Sequence, residues 1–222
     1  MSETETVYFK ARMFDIKLPE TGGNSWALIA ASRSGKTTIL KYLLKKYYPK
    51  HTTVMFSQNA HADIYKDMDN KVIVCDEYHP EVLTDMHFIN TECKNKYPFL
   101  IVSDDYVDGK IKNDKEITRL LTIYRNANMS SISSFQGRTL MSACGRNNVN
   151  YVMIGRQGTP LEYQNVIKEY LVGYLPTHMT MKECVEFVRK ATQDHQFIVV
   201  DMLNNECYIT KLTPSQIAFS EK

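Results

Sequence analysis

The chain has 222 residues, of which 43% are hydrophobic and 23% charged, and its formal net charge at pH 7 is +2. This length suits one domain, because single hydrophobic cores grow to roughly 250 residues before a chain divides. The composition is that of a folded globular protein, and no apolar run approaches the roughly 18 residues that would indicate a membrane span. The small net charge excludes a generally basic surface, so any contact with DNA would be local.

The N-terminus and the cysteines indicate the compartment. The stretch MSETETVYFK is acidic and polar, whereas a signal peptide is basic and then apolar, so we expect no export. The five cysteines are scattered and form no CxxC pair and no Cys/His group with zinc spacing. We expect reduced thiols in a cytosol-like compartment and no structural metal.

Short apolar and β-branched runs predict six strands, most of them apolar on both faces, as is typical of a parallel sheet covered by helices. They span residues 26–31, 52–57, 71–76, 99–105, 129–136 and 150–156. Two further runs, QFIVVDM and ECYITKL, are separated by Leu203-Asn204-Asn205 and predict a closing β-hairpin.

Four stretches with helical periodicity lie between and after these strands. They span residues 34–48, 79–94, 159–175 and 180–192. Pro80 and the pair Thr159-Pro160 suit the first turn of a helix. Strands that alternate with helices predict an α/β fold with three layers, α/β/α, around a mainly parallel sheet.

The stretch AASRSGKTT, after the first predicted strand, is typical of a nucleotide-binding P-loop. A strand that enters a small turn and then a helix points backbone N–H groups and the positive helix end at one spot, where phosphate binds. Lys36 can reach the β- and γ-phosphates, and the Thr37 hydroxyl can ligate Mg²⁺. The predicted nucleotide-binding residues are Ser32, Arg33, Ser34, Gly35, Lys36, Thr37 and Thr38.

Ala30 stands where the usual pattern GxxxxGK[ST] begins with glycine. A Cβ is costly chiefly where the backbone needs a positive φ or close packing. We therefore predict that Ala30 ends the strand with a negative φ and leaves the turn at residues 32–37 intact.

A P-loop hydrolase needs a second strand that ends in a carboxylate near Mg²⁺, often followed by an acid that polarises the attacking water. FLIVSDD offers Asp104 and Asp105, whereas VIVCDE offers Asp76 and Glu77. We favour the first pair, because its run is more apolar and the element order leaves room for a strand between the P-loop and the acid. Asp76 and Glu77 also suit a strand end ahead of the helix at Pro80.

A polar group at the end of the next strand would complete the site. MSSISSFQG supplies Gln136, which is placed to sense the γ-phosphate or the attacking water. Four arginines near predicted element ends could neutralise charge in the site of a neighbouring subunit, although each also suits a solvated or paired arginine: Arg125, Arg138, Arg146 and Arg156.

This order of motifs resembles the FtsK-HerA group of P-loop ATPases, and within it the poxvirus-type genome-packaging ATPases of large DNA viruses and virophages. The motifs that carry the resemblance are SRSGKTT, FLIVSDD, YRNANMSSISSFQ and GRNNVNYVMI, and more loosely DHQFIVVDMLNNECYITKL. The resemblance implies an ASCE, RecA-like P-loop NTPase domain at residues 25–212, preceded by an extension at 1–24 and followed by a tail at 213–222.

The resemblance also implies a function. Such proteins are ATP- and Mg²⁺-dependent motors that assemble as pentameric or hexameric rings and pump double-stranded DNA into a preformed capsid. The implied partners are duplex DNA, further copies of the chain and a capsid or vertex protein, and the implied location is the host cytoplasm, at the viral factory, or the virion.

Residue roles follow from the same resemblance. Lys36 and Thr37 would bind phosphate and Mg²⁺, and Asp104 would orient the metal. Asp105 would be the catalytic acid and Gln136 the sensor. Arg125 and Arg146 occupy positions of basic residues in the family, and which of the two acts in trans stays open. Two departures are Ala30 and Asp105, which is shorter than the glutamate of many relatives.

Lysines near the predicted site could contact DNA phosphates, with an affinity that falls as salt rises. The candidates are Lys41, Lys45, Lys46, Lys110, Lys112 and Lys115, although helix lysines also suit a solvated face. The sequence contains no base-reading motif, so we expect binding without sequence specificity.

Three alternatives share the P-loop. A small-molecule or nucleoside kinase usually closes an arginine-rich lid over the phosphates, and no compact arginine cluster is visible. A GTP-dependent switch needs Asn-Lys-x-Asp, which neither NKVI nor NKYP supplies. A structural protein with a degenerate loop would not need the full set of site residues, which are Lys36, Thr37, Asp104, Asp105 and Gln136.

Overall fold

The structure is a computed structural model that describes residues 9–62, 65, 71–105, 114–136 and 142–221. Within these residues, nine strands form one sheet. They are β1 (Lys10–Ala11), β2 (Ser25–Ile29), β3 (Thr52–Phe56), β4 (Val72–Cys75), β5 (Phe99–Asp104), β6 (Met129–Phe135), β7 (Tyr151–Ile154), β8 (Phe197–Asp201) and β9 (Glu206–Thr210).

The strand order in the sheet is β1-β9-β8-β7-β2-β6-β5-β3-β4. The strands from β7 to β4 in this order are mutually parallel, whereas β8 pairs antiparallel with both β7 and β9. The mainly parallel sheet and the closing hairpin were both predicted from the sequence, and both are confirmed. Because the parallel strands share one direction, the loops that follow them meet at one edge of the sheet.

Seven α-helices lie within the described residues. They are α1 (Lys36–Tyr47), α2 (Pro80–Glu92), α3 (Lys115–Thr122), α4 (Ala143–Asn148), α5 (Pro160–Val166), α6 (Met181–Ala191) and α7 (Pro214–Glu221). The single helix predicted at 159–175 is α5 followed by a π-helical segment, Ile167–Leu171. In the part of the chain that the structure describes, no helix has both the length and the apolar character needed to cross a bilayer.

The helices cover both faces of the sheet and make the predicted α/β/α layering. On one face, Leu40 and Leu43 of α1 pack with Leu28 and Met153 of the sheet. On the other face, α5 and α6 cover a cluster that includes Val152. A separate cluster around Leu83 of α2 covers the same face beside β3 and β5.

The described residues nearest the two chain ends belong to this packed domain. Phe14 is fully buried in the α1 side of the core, and β1 pairs with β9. The Gln216 side chain of α7 donates one hydrogen bond to the Phe14 carbonyl and one to the Tyr42 hydroxyl, and each has a length of 3.0 Å. The described parts of the predicted extension, 1–24, and tail, 213–222, are therefore built into the domain. Both segments are mostly polar and lack clear periodicity, so the sequence gave no signal of this packing.

Candidate functional site: a phosphate-binding loop

The loop between β2 and α1 has the backbone of an anion-binding turn. Gly35 is the N-cap of α1 with a φ of 95°, and no side chain caps the helix start. The first N–H groups of α1 therefore have no side-chain acceptor, and they lie at the positive end of the helix dipole. Arg33 also has a left-handed φ of 59°, the kind of backbone outlier that clusters at functional sites.

The Ser34 side chain supports the same interpretation of the loop. Ser34 is 5% exposed, and its hydroxyl has no hydrogen-bond partner among the described residues. A buried hydroxyl without a partner is costly, and a bound oxyanion would remove that cost. Ser32 and Arg33 are exposed beside it, and Thr37 and Thr38 are half-buried in the first turn of α1.

Ala30 fits because of a glycine on the neighbouring strand. Ala30 is fully buried and does not have a positive φ, which confirms the predicted backbone conformation, although β2 ends one residue earlier, at Ile29. A Cβ placed on Gly155 would lie 2.9 Å from the Ala30 Cβ and 2.6 Å from the Phe197 ring. The glycine missing from the loop is thus matched by one at the end of β7, which leaves space for the alanine methyl group.

Lys36 points back across the loop toward the ends of the strands. Its side chain is 5% exposed, and its Nζ donates to the carbonyls of Ala30 (2.9 Å) and Phe135 (3.3 Å). It also forms an ion pair of 2.8 Å with Asp105 Oδ1. These contacts place the ammonium group of the loop beside the acid at the end of β5.

Asp104 and Asp105 stand at the end of β5, with β6 between β5 and the P-loop strand β2, as predicted. Asp104 is 3% exposed, and burial raises the pKa of its carboxyl group, although the hydrogen bond from the Tyr65 hydroxyl favours the charged form. Asp105 has a left-handed φ of 46°, which turns it toward Lys36.

Asp76, the competing candidate, follows the edge strand β4. Its side chain is 66% exposed and lies 3.9 Å from the His61 imidazole. Because β3 separates β4 from β5, Asp76 is about two strand spacings, or ~10 Å, from the strand that carries Asp104. The geometry favours Asp104 as the acid nearer to the loop.

Gln136 follows β6, and its side chain contacts Asp105. Its Nε2 lies 3.5 Å from Asp105 Oδ2, a weak hydrogen bond at the surface. Lys36, Asp105 and Gln136 therefore form one polar network, built from three neighbouring strand ends.

The structure does not bring the two candidate trans arginines to this loop. Arg125 precedes β6, whose seven residues span about 23 Å, so it lies near the opposite edge of the sheet. Its carbonyl accepts a hydrogen bond of 2.7 Å from the Gly23 N–H, ahead of β2. Arg146 of α4 is paired with Glu169, with 2.9 Å between Nε and Oε1. Arg138 lies outside the described residues.

A pocket of about 480 Å³ borders the outer side of the loop. Its lining is polar, carries three cationic side chains and one carboxylate, and consists of Arg33, Ser34, Arg156, Thr192, Asp194, His195 and Lys211. Arg156 donates a hydrogen bond of 3.2 Å to the Ser32 carbonyl, and His195 Nδ1 lies 3.2 Å from the Ser34 carbonyl. His195 was missed as a loop neighbour, because a turn before a hairpin carries no periodic signal.

The donor atoms at the site suit Mg²⁺. Thr37 offers a hydroxyl oxygen and Asp104 a carboxylate, and Mg²⁺ is usually held by one or two protein oxygens together with waters and substrate phosphates. The second acid, Asp105, is occupied by Lys36. Thr37 and Asp104 are therefore the residues that could hold the metal.

The chain is similar to solved structures of viral packaging proteins. One is the genome packaging NTPase B204 of Sulfolobus turreted icosahedral virus 2 in complex with AMPPCP, with a TM-score of 0.58, 18% identity and coverage of 86% of this chain and 98% of that one. Another is B204, the DNA-packaging ATPase of Sulfolobus Turreted Icosahedral Virus, with a TM-score of 0.62, 15% identity and coverage of 86% and 98%. The chain has a P-loop ATPase fold.

A third similar structure is the pCW3 conjugation coupling protein TcpA with ATPγS, with a TM-score of 0.58, 13% identity and coverage of 90% of this chain and 66% of that one. No protein-family model matches the chain, and no curated protein does so. The resemblance seen in the motifs is thus confirmed for the fold.

Proposed function

We propose that the chain is an ATPase whose active site is the polar network between the β2–α1 loop and the ends of β5 and β6. The observation that carries the proposal is the 2.8 Å pair between Lys36 and Asp105 at the uncapped start of α1. A phosphate-binding turn, a buried ammonium group and a carboxylate meet there. This is the set of groups that phosphoryl transfer to water requires.

Each part of this network has a separate role in the proposed reaction. Backbone N–H groups of residues 34–38 hold the β- and γ-phosphates, and Lys36 neutralises charge that develops on the γ-phosphate. Asp105 accepts a hydrogen bond from the attacking water, which Gln136 helps to orient for in-line attack. Mg²⁺, when bound at Thr37 and Asp104, supplies electrostatic stabilisation of the phosphate oxygens.

Lys36 must exchange partners when nucleotide binds. In the structure it is paired with Asp105, and a γ-phosphate would compete with that carboxylate for the same ammonium group. Release of Asp105 from Lys36 frees the acid to act on water. The pair therefore keeps a buried charge satisfied in the absence of substrate.

We further propose that the ATPase is a motor that moves double-stranded DNA, without sequence specificity, into a preformed viral capsid. The fold similarity to two proteins described as packaging enzymes supports this proposal, as do the motifs named above. A homo-oligomeric ring, pentameric or hexameric, would bring an arginine of one subunit to the loop of the next. Arg125, half-exposed at the far edge of the sheet, and Arg146 are the candidates. The motor would work in the host cytoplasm and bind a capsid or vertex protein.

DNA contact would use lysines outside the nucleotide site. Lys46 of α1 and Lys115 at the start of α3 are exposed, and Lys41 and Lys45 are half-buried. Lys110 and Lys112 lie outside the described residues. Because these contacts would be to phosphates, we expect binding that weakens steeply with salt and does not depend on base sequence.

The experiment is phosphate release from ATP, measured with and without duplex DNA. We expect DNA to stimulate turnover, and we expect the protein to displace a triplex-forming strand from duplex DNA only when ATP is present. Turnover without any DNA effect would leave an ATPase that is not a DNA motor. Transfer of phosphate to a small acceptor, rather than to water, would instead establish the kinase alternative.

A further inference from the structure

The side chain of Tyr65 contacts Asp104, the buried acid of the candidate site. It lies in the connection between β3 and β4, and its backbone N–H donates to the Ala62 carbonyl over 3.0 Å. Its hydroxyl donates a hydrogen bond of 2.7 Å to Asp104 Oδ2 and lies 3.2 Å from Ser57 Oγ. The half-buried ring packs against the apolar cluster on the α1 side of the sheet.

The contact with Tyr65 distinguishes the two oxygens of Asp104. A carboxylate at the end of a strand can rotate about its terminal torsion, which is broad and roughly two-fold. A donor fixed on Oδ2 restricts this rotation, so Oδ1 is the oxygen that would face Mg²⁺ if the metal were bound. Because Asp104 is 3% exposed, bulk water has little access to its carboxylate. Loss of the tyrosine hydrogen bond therefore costs free energy.

We propose that Tyr65 is a positioning residue, which orients the Asp104 carboxylate and thereby sets how tightly the site takes Mg²⁺ together with a nucleotide. This inference rests on the proposed ATPase function. The hydrogen-bonded series Ser57, Tyr65 and Asp104 joins the end of β3 to the end of β5, so Tyr65 couples its position in the β3–β4 connection to the metal site. Residues that orient metal ligands commonly change metal affinity by 10- to 100-fold when removed.

The test compares Tyr65→Phe with a matched variant, Tyr78→Phe. Tyr78 is also half-buried, and its hydroxyl also donates a 2.7 Å hydrogen bond to a carboxylate, but to Asp114 at the start of α3. Both changes remove one tyrosine hydroxyl and keep the ring. Calorimetric titration with the ATP analogue AMPPCP, first in EDTA and then across a series of Mg²⁺ concentrations, separates nucleotide affinity from metal dependence.

We expect Tyr65→Phe to raise the Mg²⁺ concentration at half-saturation about ten-fold, as the loss of a hydrogen bond to a charged group predicts. Its affinity for AMPPCP in EDTA should match that of the wild type. Its melting temperature should fall as that of Tyr78→Phe does, because each variant loses one hydrogen bond to a carboxylate. Tyr78→Phe should leave the Mg²⁺ dependence unchanged. Ser57→Ala, which removes the second hydroxyl of the series, should shift the Mg²⁺ dependence in the same direction by a smaller factor.

Three results would overturn the inference in distinguishable ways. If the wild type binds no AMPPCP with Mg²⁺, the proposed function fails and Tyr65 loses its role with it. If the wild type binds and Tyr65→Phe shows the same Mg²⁺ dependence, only the positioning role fails. If Tyr65→Phe weakens binding equally in EDTA and Mg²⁺, the tyrosine is structural.

Discussion

Replacement of Ala30 by glycine would restore the usual loop pattern, and we expect it to harm the protein. Ala30 is fully buried, its methyl group fills the space beside Gly155, and its backbone does not need a positive φ. Glycine would therefore bring no conformational advantage. It would remove a packed methyl group and increase the freedom of the unfolded chain.

The magnitude follows from these two losses. Burial of one methyl or methylene group is worth ~0.8 kcal/mol. The extra backbone entropy of glycine relative to alanine adds ~0.5–1 kcal/mol. We thus expect Ala30→Gly to lower the free energy of unfolding by ~1.5 kcal/mol, and to leave kcat for ATP within about two-fold of the wild type because the turn at 32–37 is unchanged.

Urea unfolding and steady-state phosphate release measure the two quantities on the same samples. Gly155→Ala is the complementary variant, since its new Cβ would meet the Phe197 ring and the Ala30 Cβ, and it should destabilise by more than Ala30→Gly. A rise in ATP turnover for Ala30→Gly, with no loss of stability, would show that alanine impairs the loop and that the packing explanation is wrong.

Two further predictions concern the acids. Asp105→Asn should lower the unfolding free energy of the nucleotide-free protein by ~2 kcal/mol, because Lys36 loses its charged partner while Asp105 is only partly buried. It should also tighten ATP binding and slow turnover at least ~100-fold; unchanged turnover in a phosphate-release assay would remove Asp105 from the mechanism. Asp104→Asn should reduce turnover at least ~100-fold, whereas Asp76→Asn, at an exposed edge, should stay within about two-fold. Loss of turnover through Asp76 alone would reverse the assignment.

The sheet could be predicted from the sequence because its strands are short apolar runs bounded by polar residues. Every predicted strand is present to within two residues at each end, and the helix that begins at Pro80 starts where proline indicated. The three helices that were missed, α3, α4 and α7, are only six to eight residues long. Helices of this length take their stability from packing, and local pattern carries little of it.

The residues of the candidate site also differ in whether local sequence pattern could predict them. Asp104, Asp105 and Gln136 stand at strand ends, and Lys36 is the first residue of the helix that follows β2. The topology of a parallel sheet brings these positions to one edge, so the sequence could propose them. Tyr65 and His195 come from irregular connections, and only the folded chain shows which atoms they meet.

Arg125 shows the limit of motif reasoning. Arg125 and Gln136 belong to the same motif, YRNANMSSISSFQ, but the strand that links them carries the two to opposite edges of the sheet. Each residue of an extended strand adds about 3.3 Å to its length, so residues at the two ends of a strand lie far apart. A role for Arg125 in its own subunit's loop is thus excluded by the fold, and a role in a neighbour's loop remains a proposal.

The most direct test of the proposed active site is phosphate release from ATP, measured without DNA, by three proteins: the wild type, Lys36→Ala and Lys41→Ala. Both lysines lie on α1, but only Lys36 enters the network with Asp105. We expect Lys36→Ala to lose turnover by at least ~100-fold and Lys41→Ala to retain it within about two-fold. Equal turnover by the wild type and Lys36→Ala would contradict an ATPase site at the β2–α1 loop.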